Sequence, residues 1–137
     1  MILVDTNVWS EATRPTPDAN VRAWAGVHAD RLWLPTIVIG ELLSGAALLP
    51  EGKRKIHFFE KYEAMISANA DRIVDFDLGA SRRYADVLAF LERAGRNPKT
   101  ADCQIAGIAL TRGMALATRN TKDFEGLGLE LMNPWEA

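Results

Sequence analysis

The chain has one cysteine, two histidines and no long apolar run, and each shortage removes a class of answer. Cys103 has no partner for an internal disulfide, which points to a reducing compartment. No stretch reaches membrane-spanning length and no targeting segment precedes the first apolar run. A cytoplasmic protein without a membrane partner is therefore expected. An excess of positive charge is also missing: 16 Lys and Arg against 18 Asp and Glu leave a net charge of -2. That argues against a non-specific nucleic-acid binder, which would be basic, but not against an enzyme that grips a nucleic acid locally. Low-complexity tracts and internal repeats are absent too. What remains, 137 residues at 48% hydrophobic and 25% charged, predicts a single domain over residues 1–137 with a sizeable core.

Taken in order, Met1 to Val4 reads as an apolar strand that stops on Asp5. Val8 to Thr13 follows as a short helical turn, and Pro17-Asp18 opens a second helix turning Val21, Trp24 and Val27 inward. Arg31 to Leu34 reads as a strand stopped by Pro35. Thr36 is the expected N-cap of a helix from Ile37 to Leu49, and a longer helix spans Lys53 to Ala68 with Ile56, Phe59, Tyr62, Met65 and Ile66 as its apolar stripe. Arg72 to Asp75 is a third strand. Asp77 or Leu78 starts a helix that ends near Gly95 and turns Tyr84, Val87, Leu88 and Leu91 inward. After the loop Asn97-Pro98-Lys99, Thr100 caps a helix from Ala101 to Thr111, with Gly113 past its end. Met114 to Thr118 and Leu129 to Leu131 complete five short strands. Strands alternating with helices predict a parallel sheet covered on both faces, a three-layer α/β/α sandwich.

Acidic residues in costly places carry the chemistry. Asp5 ends a wholly apolar strand, where a parallel sheet binds its ligands, although the same position suits an ordinary N-cap. Glu41 lies among apolar and small residues, on a helical face shared with Ile37, Val38, Ser44 and Gly45. That face is expected to be partly covered, and the flanking glycines suggest close approach of another backbone. Asp102 falls in the first turn of its helix, a place the helix dipole also favours. Asp123 follows the fourth strand, and taken singly it reads as an exposed loop or helix-cap residue. If the sheet is parallel, all four meet at one edge, where their mutual repulsion calls for a cation. Oxygen donors with no Cys or His beside them suit Mg²⁺ or Mn²⁺ rather than zinc.

Four segments in order, Leu3-Val4-Asp5-Thr6-Asn7-Val8 with Ser10-Glu11, the helix of Glu41, Ala101-Asp102 with Ile105-Ala106, and Ala117 to Phe124, give the chain its resemblance. It is similar to PIN-domain ribonucleases, in particular VapC-type toxins of bacterial toxin–antitoxin pairs and most closely their FitB-like branch. The resemblance implies a five-stranded parallel sheet, with Asp5, Glu41 and Asp102 as the acidic triad and Asp123 as the fourth, more variable acidic position. Asp5 and Asp102 would be direct metal ligands. Thr6 would orient Asp5, and Asn7, Thr118 and Asn120 would line the cleft.

The activity so implied is metal-dependent hydrolysis of RNA phosphodiesters leaving 5′-phosphate and 3′-hydroxyl ends, with one or two ions acidifying water and steadying the leaving oxygen. His28 and His57 lie outside every motif, which disfavours a histidine acid–base ribonuclease. Cys103 reads as core packing rather than a nucleophile. Arg14, Lys99, Arg119 and Lys122 flank the motifs and are candidate contacts to RNA phosphates. Implied partners are a cognate antitoxin, operator DNA through that antitoxin only, and a second copy in a homodimer. The alternative is a subunit of a DNA-regulatory complex that acts by binding its antitoxin, with little nuclease activity of its own. A receiver-like or phosphoryl-transfer domain also begins on a strand ending in Asp, but the second acidic residue expected beside Asp5 is missing.

Overall fold

In the computed structural model, which describes residues 1–137, five short parallel strands lie in one sheet between two layers of helices. The strands are β1 (Ile2–Val4), β2 (Leu32–Pro35), β3 (Ile73–Val74), β4 (Ala115–Ala117) and β5 (Leu131–Met132). They stand in the order β3-β2-β1-β4-β5. Ile2, Leu3, Val4, Leu34, Leu116 and Ala117 are all fully buried. The central strands are thus largely covered on both faces, which is why they read as unbroken apolar runs rather than alternating ones.

The helices are α1 (Thr6–Ala12), α2 (Ala19–His28), α3 (Thr36–Ala47), α4 (Lys53–Ala68), α5 (Leu78–Arg93) and α6 (Thr100–Arg112). The chain moves one way across the sheet from β1 through β2 to β3, then returns to β4 on the other side of β1. Right-handed crossovers therefore put α1 to α4 on one face and α5 with α6 on the other. The direction reverses between β1 and β4, and that is where an open parallel sheet forms its ligand crevice.

α5 and α6 are the most intimately packed pair. A Cβ on Gly107 would stand 2.6 Å from the Ala80 carbonyl oxygen and 3.0 Å from the Tyr84 nitrogen, so glycine is what allows the backbones to meet. Their contact fixes α6, and with it Asp102.

Several sequence expectations are displaced. The first helix starts at Thr6, directly on Asp5, rather than at Val8. Thr36 and Thr100 are the first residues of their helices, and neither helix has a side-chain cap. Pro35 is the last residue of β2, paired with Val74, since a proline at a strand end gives up only one donor. The fifth strand is Leu131–Met132, later than Leu129 to Leu131. Val27 and Ile56 are 76% and 59% exposed, because α2 and α4 turn narrower faces inward than the spacing implies. α3 buries Val38, Leu42 and Ala46, one strip at i, i+4 and i+8. Glu41, a residue before Leu42, is rotated off that strip and is exposed. A methyl group added at Gly40 or Gly45 would meet nothing within 4 Å, so no backbone contact within this chain accounts for either glycine.

Asp18 and Asp77 cap α2 and α5 as their positions suggest. Asp18 Oδ1 accepts from the Asn20 and Val21 amides, and Asp77 Oδ1 accepts from the Ala80 amide.

Candidate metal centre

Asp5 is both a helix cap and a site residue. Its Oδ1 accepts from the Thr6 amide at 2.8 Å, the capping bond of α1. Its Oδ2 accepts from the Thr118 hydroxyl at 2.7 Å and from Asn7 Nδ2 at 3.4 Å. Its own amide donates to the Ala117 carbonyl, which locks the end of β1 to the end of β4. Thr118 is fully buried, and its hydroxyl oxygen also accepts from the Asn120 amide at 3.1 Å. A carboxylate only 5% exposed is thus held by donors on both of its oxygens. Burial is still the dominant influence and raises its pKa; the Thr118 and Thr6 bonds pull down, and Glu41 and Asp123 push up.

The remaining acids come to the same edge from three other segments. Glu41 is tied in by the Thr6 hydroxyl, which donates to Glu41 Oε1 at 2.7 Å. The hydroxyl of Thr6 therefore serves Glu41, while only its amide serves Asp5. Asp102, half-buried in the first turn of α6, has its pKa raised to about 6 by burial first and then by the charges of Asp5 and Asp123. Lys99 pulls it down and Glu41 pushes it up. Asp123 is exposed on the 3-10 turn Thr121–Phe124. Asp102, Asp123, Lys99 and Lys122 line one cleft of about 170 Å³.

No three His, Cys, Asp or Glu side chains form a ready-made cage for an ion. The donors are carboxylates only, and Cys103 is buried in the core. This chemistry fits Mg²⁺ or Mn²⁺. Mg²⁺ retains several waters and takes one or two carboxylates together with substrate phosphates, so an open acidic cleft suits it better than a closed cage.

Two supports, Arg96 and the Glu11 of the first motif segment, have roles that the sequence does not reveal. The Arg96 guanidinium donates through Nη1 to the Glu125 carbonyl at 2.5 Å and through Nη2 to the Lys122 carbonyl at 2.8 Å. It thereby clamps the turn that carries Asp123. Glu11 is 5% exposed, and its carboxylate accepts from the Asp18 amide at 2.9 Å and from Arg14 at 3.1 Å. It braces the loop between α1 and α2. Of the four cations flanking the motifs, Lys99 and Lys122 line the cleft, Arg14 pairs with Glu11, and Arg119 stacks on Trp135. Trp9 is core, its Nε1 donating to the Val4 carbonyl.

Comparison with known proteins bears on the family and the fold. A PIN domain family model matches residues 2–128. Plasmid stability protein StbB of Pseudomonas syringae pv. tomato is 45% identical over 139 aligned residues, covering 100% of both chains. VapC ribonuclease Y4jK of Sinorhizobium fredii is 42% identical over 138 residues, covering 99% of each. The crystal structure of FitAcB from Neisseria gonorrhoeae superimposes with a TM-score of 0.91 at 35% identity, over 100% of both chains. The structure of FitAB bound to an IR36 DNA fragment does so with 0.90 at 36% identity, over 98% of this chain and 96% of that one. With the acidic edge in place and relatives matched from end to end, the chain belongs to the PIN-domain family.

Proposed function

We propose that the chain is a VapC-type toxin, an endoribonuclease that hydrolyses RNA phosphodiester bonds with Mg²⁺ or Mn²⁺ at the acidic edge. One observation carries the reading: Asp5 at the end of β1, Glu41 on α3 tied to the Thr6 hydroxyl, Asp102 in the first turn of α6 and Asp123 on the turn after β4 gather at the switch point of the sheet. Four carboxylates gathered there repel one another, which calls for a cation between them.

Asp5 and Asp102 would hold the ion, with Glu41 and Asp123 completing the donor set. When bound, the cation supplies Lewis acidity toward water and toward the phosphate oxygens. The chain supplies the rest. Thr118, Asn7 and the Thr6 amide aim Asp5, the Thr6 hydroxyl aims Glu41, and Arg96 aims Asp123 through its turn. Thr118 is fully buried behind Asp5 and accepts from the Asn120 amide, so both act as supports rather than as lining of the cleft of Asp102 and Asp123. Lys99 and Lys122 meet the negative backbone beside the carboxylates. The similarity to VapC ribonuclease Y4jK supports RNA as the substrate class. The likeness to the FitAB complex supports a partner chain. That partner would be a small antitoxin, which makes the operator-DNA contact, in an assembly built on a toxin homodimer.

The test is incubation of total cellular RNA with the purified protein and Mg²⁺, Mn²⁺ or EDTA, alongside Asp5→Asn. Discrete fragments that require metal and vanish in the variant are expected, bearing 5′-phosphate ends. The DNA-bound FitAB structure favours a second reading, a regulatory subunit with little cleavage of its own. A folded protein that cleaves no RNA but joins an antitoxin on DNA would establish it instead.

A further inference from the structure

Lys99 and Lys122 line the acidic cleft, and a further cation, Arg119, stands toward α1 and α2 and is built in a different way. Arg119 follows Thr118 directly, and its amide donates to Asn7 Oδ1 at 3.2 Å, one side chain away from Asp5. Its guanidinium lies over the Trp135 ring, 4.8 Å from the centroid. Trp135 is itself fixed. Its amide donates to Asn133 Oδ1 at 3.0 Å, and its carbonyl accepts from Asn20 Nδ2 on α2 at 2.9 Å. Asn133 Nδ2 reaches back to the Arg119 carbonyl at 3.5 Å. No carboxylate of the chain pairs with Arg119. The match to the PIN domain ends at residue 128, so Asn133 and Trp135 lie beyond it.

We propose that Arg119, seated on Trp135, is a phosphate subsite for the RNA strand on the α1–α2 side of the cleft, with Trp135 as its positioning residue. The inference rests on the nuclease reading. Four carboxylates repel a polyanion until a cation is bound, so affinity has to come from cations at the borders of the cleft. A stacked guanidinium leaves its edge donors free and its plane fixed, which suits the two-point grip of arginine on a phosphate. A strand with one phosphate at Asp5 and Asp102 then crosses the edge from Lys99 and Lys122 to Arg119.

Binding is best measured in the Asp5→Asn background, where the strand survives, by fluorescence anisotropy of a labelled single-stranded RNA oligomer of mixed sequence across a range of salt. Arg119→Ala should weaken binding by about 3- to 10-fold and lower the slope of log affinity against log salt by about 0.7, the loss of one phosphate contact on a single strand. Trp135→Ala should weaken binding by about 3-fold while Trp135→Phe keeps most of it, since any aromatic face seats the guanidinium. The Arg119→Ala, Trp135→Ala double variant should bind no more weakly than Arg119→Ala alone. An unchanged salt slope in Arg119→Ala, or losses that multiply in the double variant, would overturn the subsite, as would a loss confined to antitoxin affinity. Cleavage by the wild type in Mg²⁺ or Mn²⁺, run in parallel, separates the two claims: cleavage with an unchanged slope sinks only the subsite, and neither cleavage nor RNA binding sinks both.

Discussion

The two halves of the acidic cluster are held in opposite ways. Asp5 is buried and caged, with donors from Thr6, Asn7 and Thr118 already aimed at it before any ligand arrives. Asp102 and Asp123 face it from α6 and from a clamped turn, coupled to it by charge rather than by hydrogen bonds. A caged carboxylate has one position, whereas an uncaged one can move to meet an ion and its waters. On the proposed metal-binding reading, one side of the site would be a fixed anchor and the other would adjust its side chains to the cation. The supports follow the same division: Thr118 acts on the anchor directly, while Arg96 acts on backbone carbonyls and only through them on Asp123.

The contrast can be broken at either end. Asp5→Asn removes the anchor's charge and should cut cleavage by more than about 10²- to 10³-fold, the loss that follows removal of a single electrostatic group at a reacting centre. Its melting temperature without metal should change little, because relief of the buried charge and of repulsion with Glu41 and Asp123 offsets the disturbed bonds from Thr118 and Asn7. Thr118→Val keeps the shape of the side chain but removes the hydroxyl, leaving Asp5 Oδ2 short of its strongest donor. Metal affinity should fall about 10- to 100-fold, and stability by about 1–3 kcal/mol for the buried acceptor left underserved, as read by calorimetric titration and denaturant unfolding. Arg96→Ala frees the Asp123 turn. It should lower cleavage by about 10-fold, less than either change at the anchor because Asp123 remains present, and Arg96→Lys should recover part of the loss.

The smallest effect concerns pH. An acid whose pKa is raised on folding binds more protons in the native state, so stability falls as pH rises from the unfolded value toward the folded one. For Asp102 that window runs from 3.8 to about 6. Metal-free wild type should lose roughly 1–2 kcal/mol across it relative to Asp102→Asn, after discounting for screening by solvent. Unfolding of both proteins at each pH reads the difference directly, and parallel curves would contradict it.

Local pattern reveals the frame of the molecule but not its tertiary surroundings. The apolar runs ending at Val4, Leu34 and Ala117 marked strands because both faces of the sheet are covered. Asp18 and Asp77 marked helix starts because a cap is a contact over two or three residues. Asp5 was visible as a carboxylate ending an apolar strand, whereas Asp102 and Asp123 read singly as ordinary helix and loop residues and were drawn in only by their expected convergence at one sheet edge. The exposure of Glu41 was not visible, since the wheel of α3 shows which residues share a face but not which face the sheet takes. Val27 and Ile56 were misplaced inward for the same reason. Arg96 and Trp135 were silent, because the contacts that give them roles reach 16 to 115 residues along the chain and nothing local foretells them.

The most direct test of the acidic edge as a metal site is a calorimetric titration of Mn²⁺ into the folded wild type and Asp5→Asn, first near pH 7 and then near pH 5. Saturable binding is expected that requires Asp5 and weakens at the lower pH, where Asp102, with a pKa of about 6, holds a proton against the ion. Binding that is identical in the two proteins, or unchanged between the two conditions, would contradict a metal held by these carboxylates.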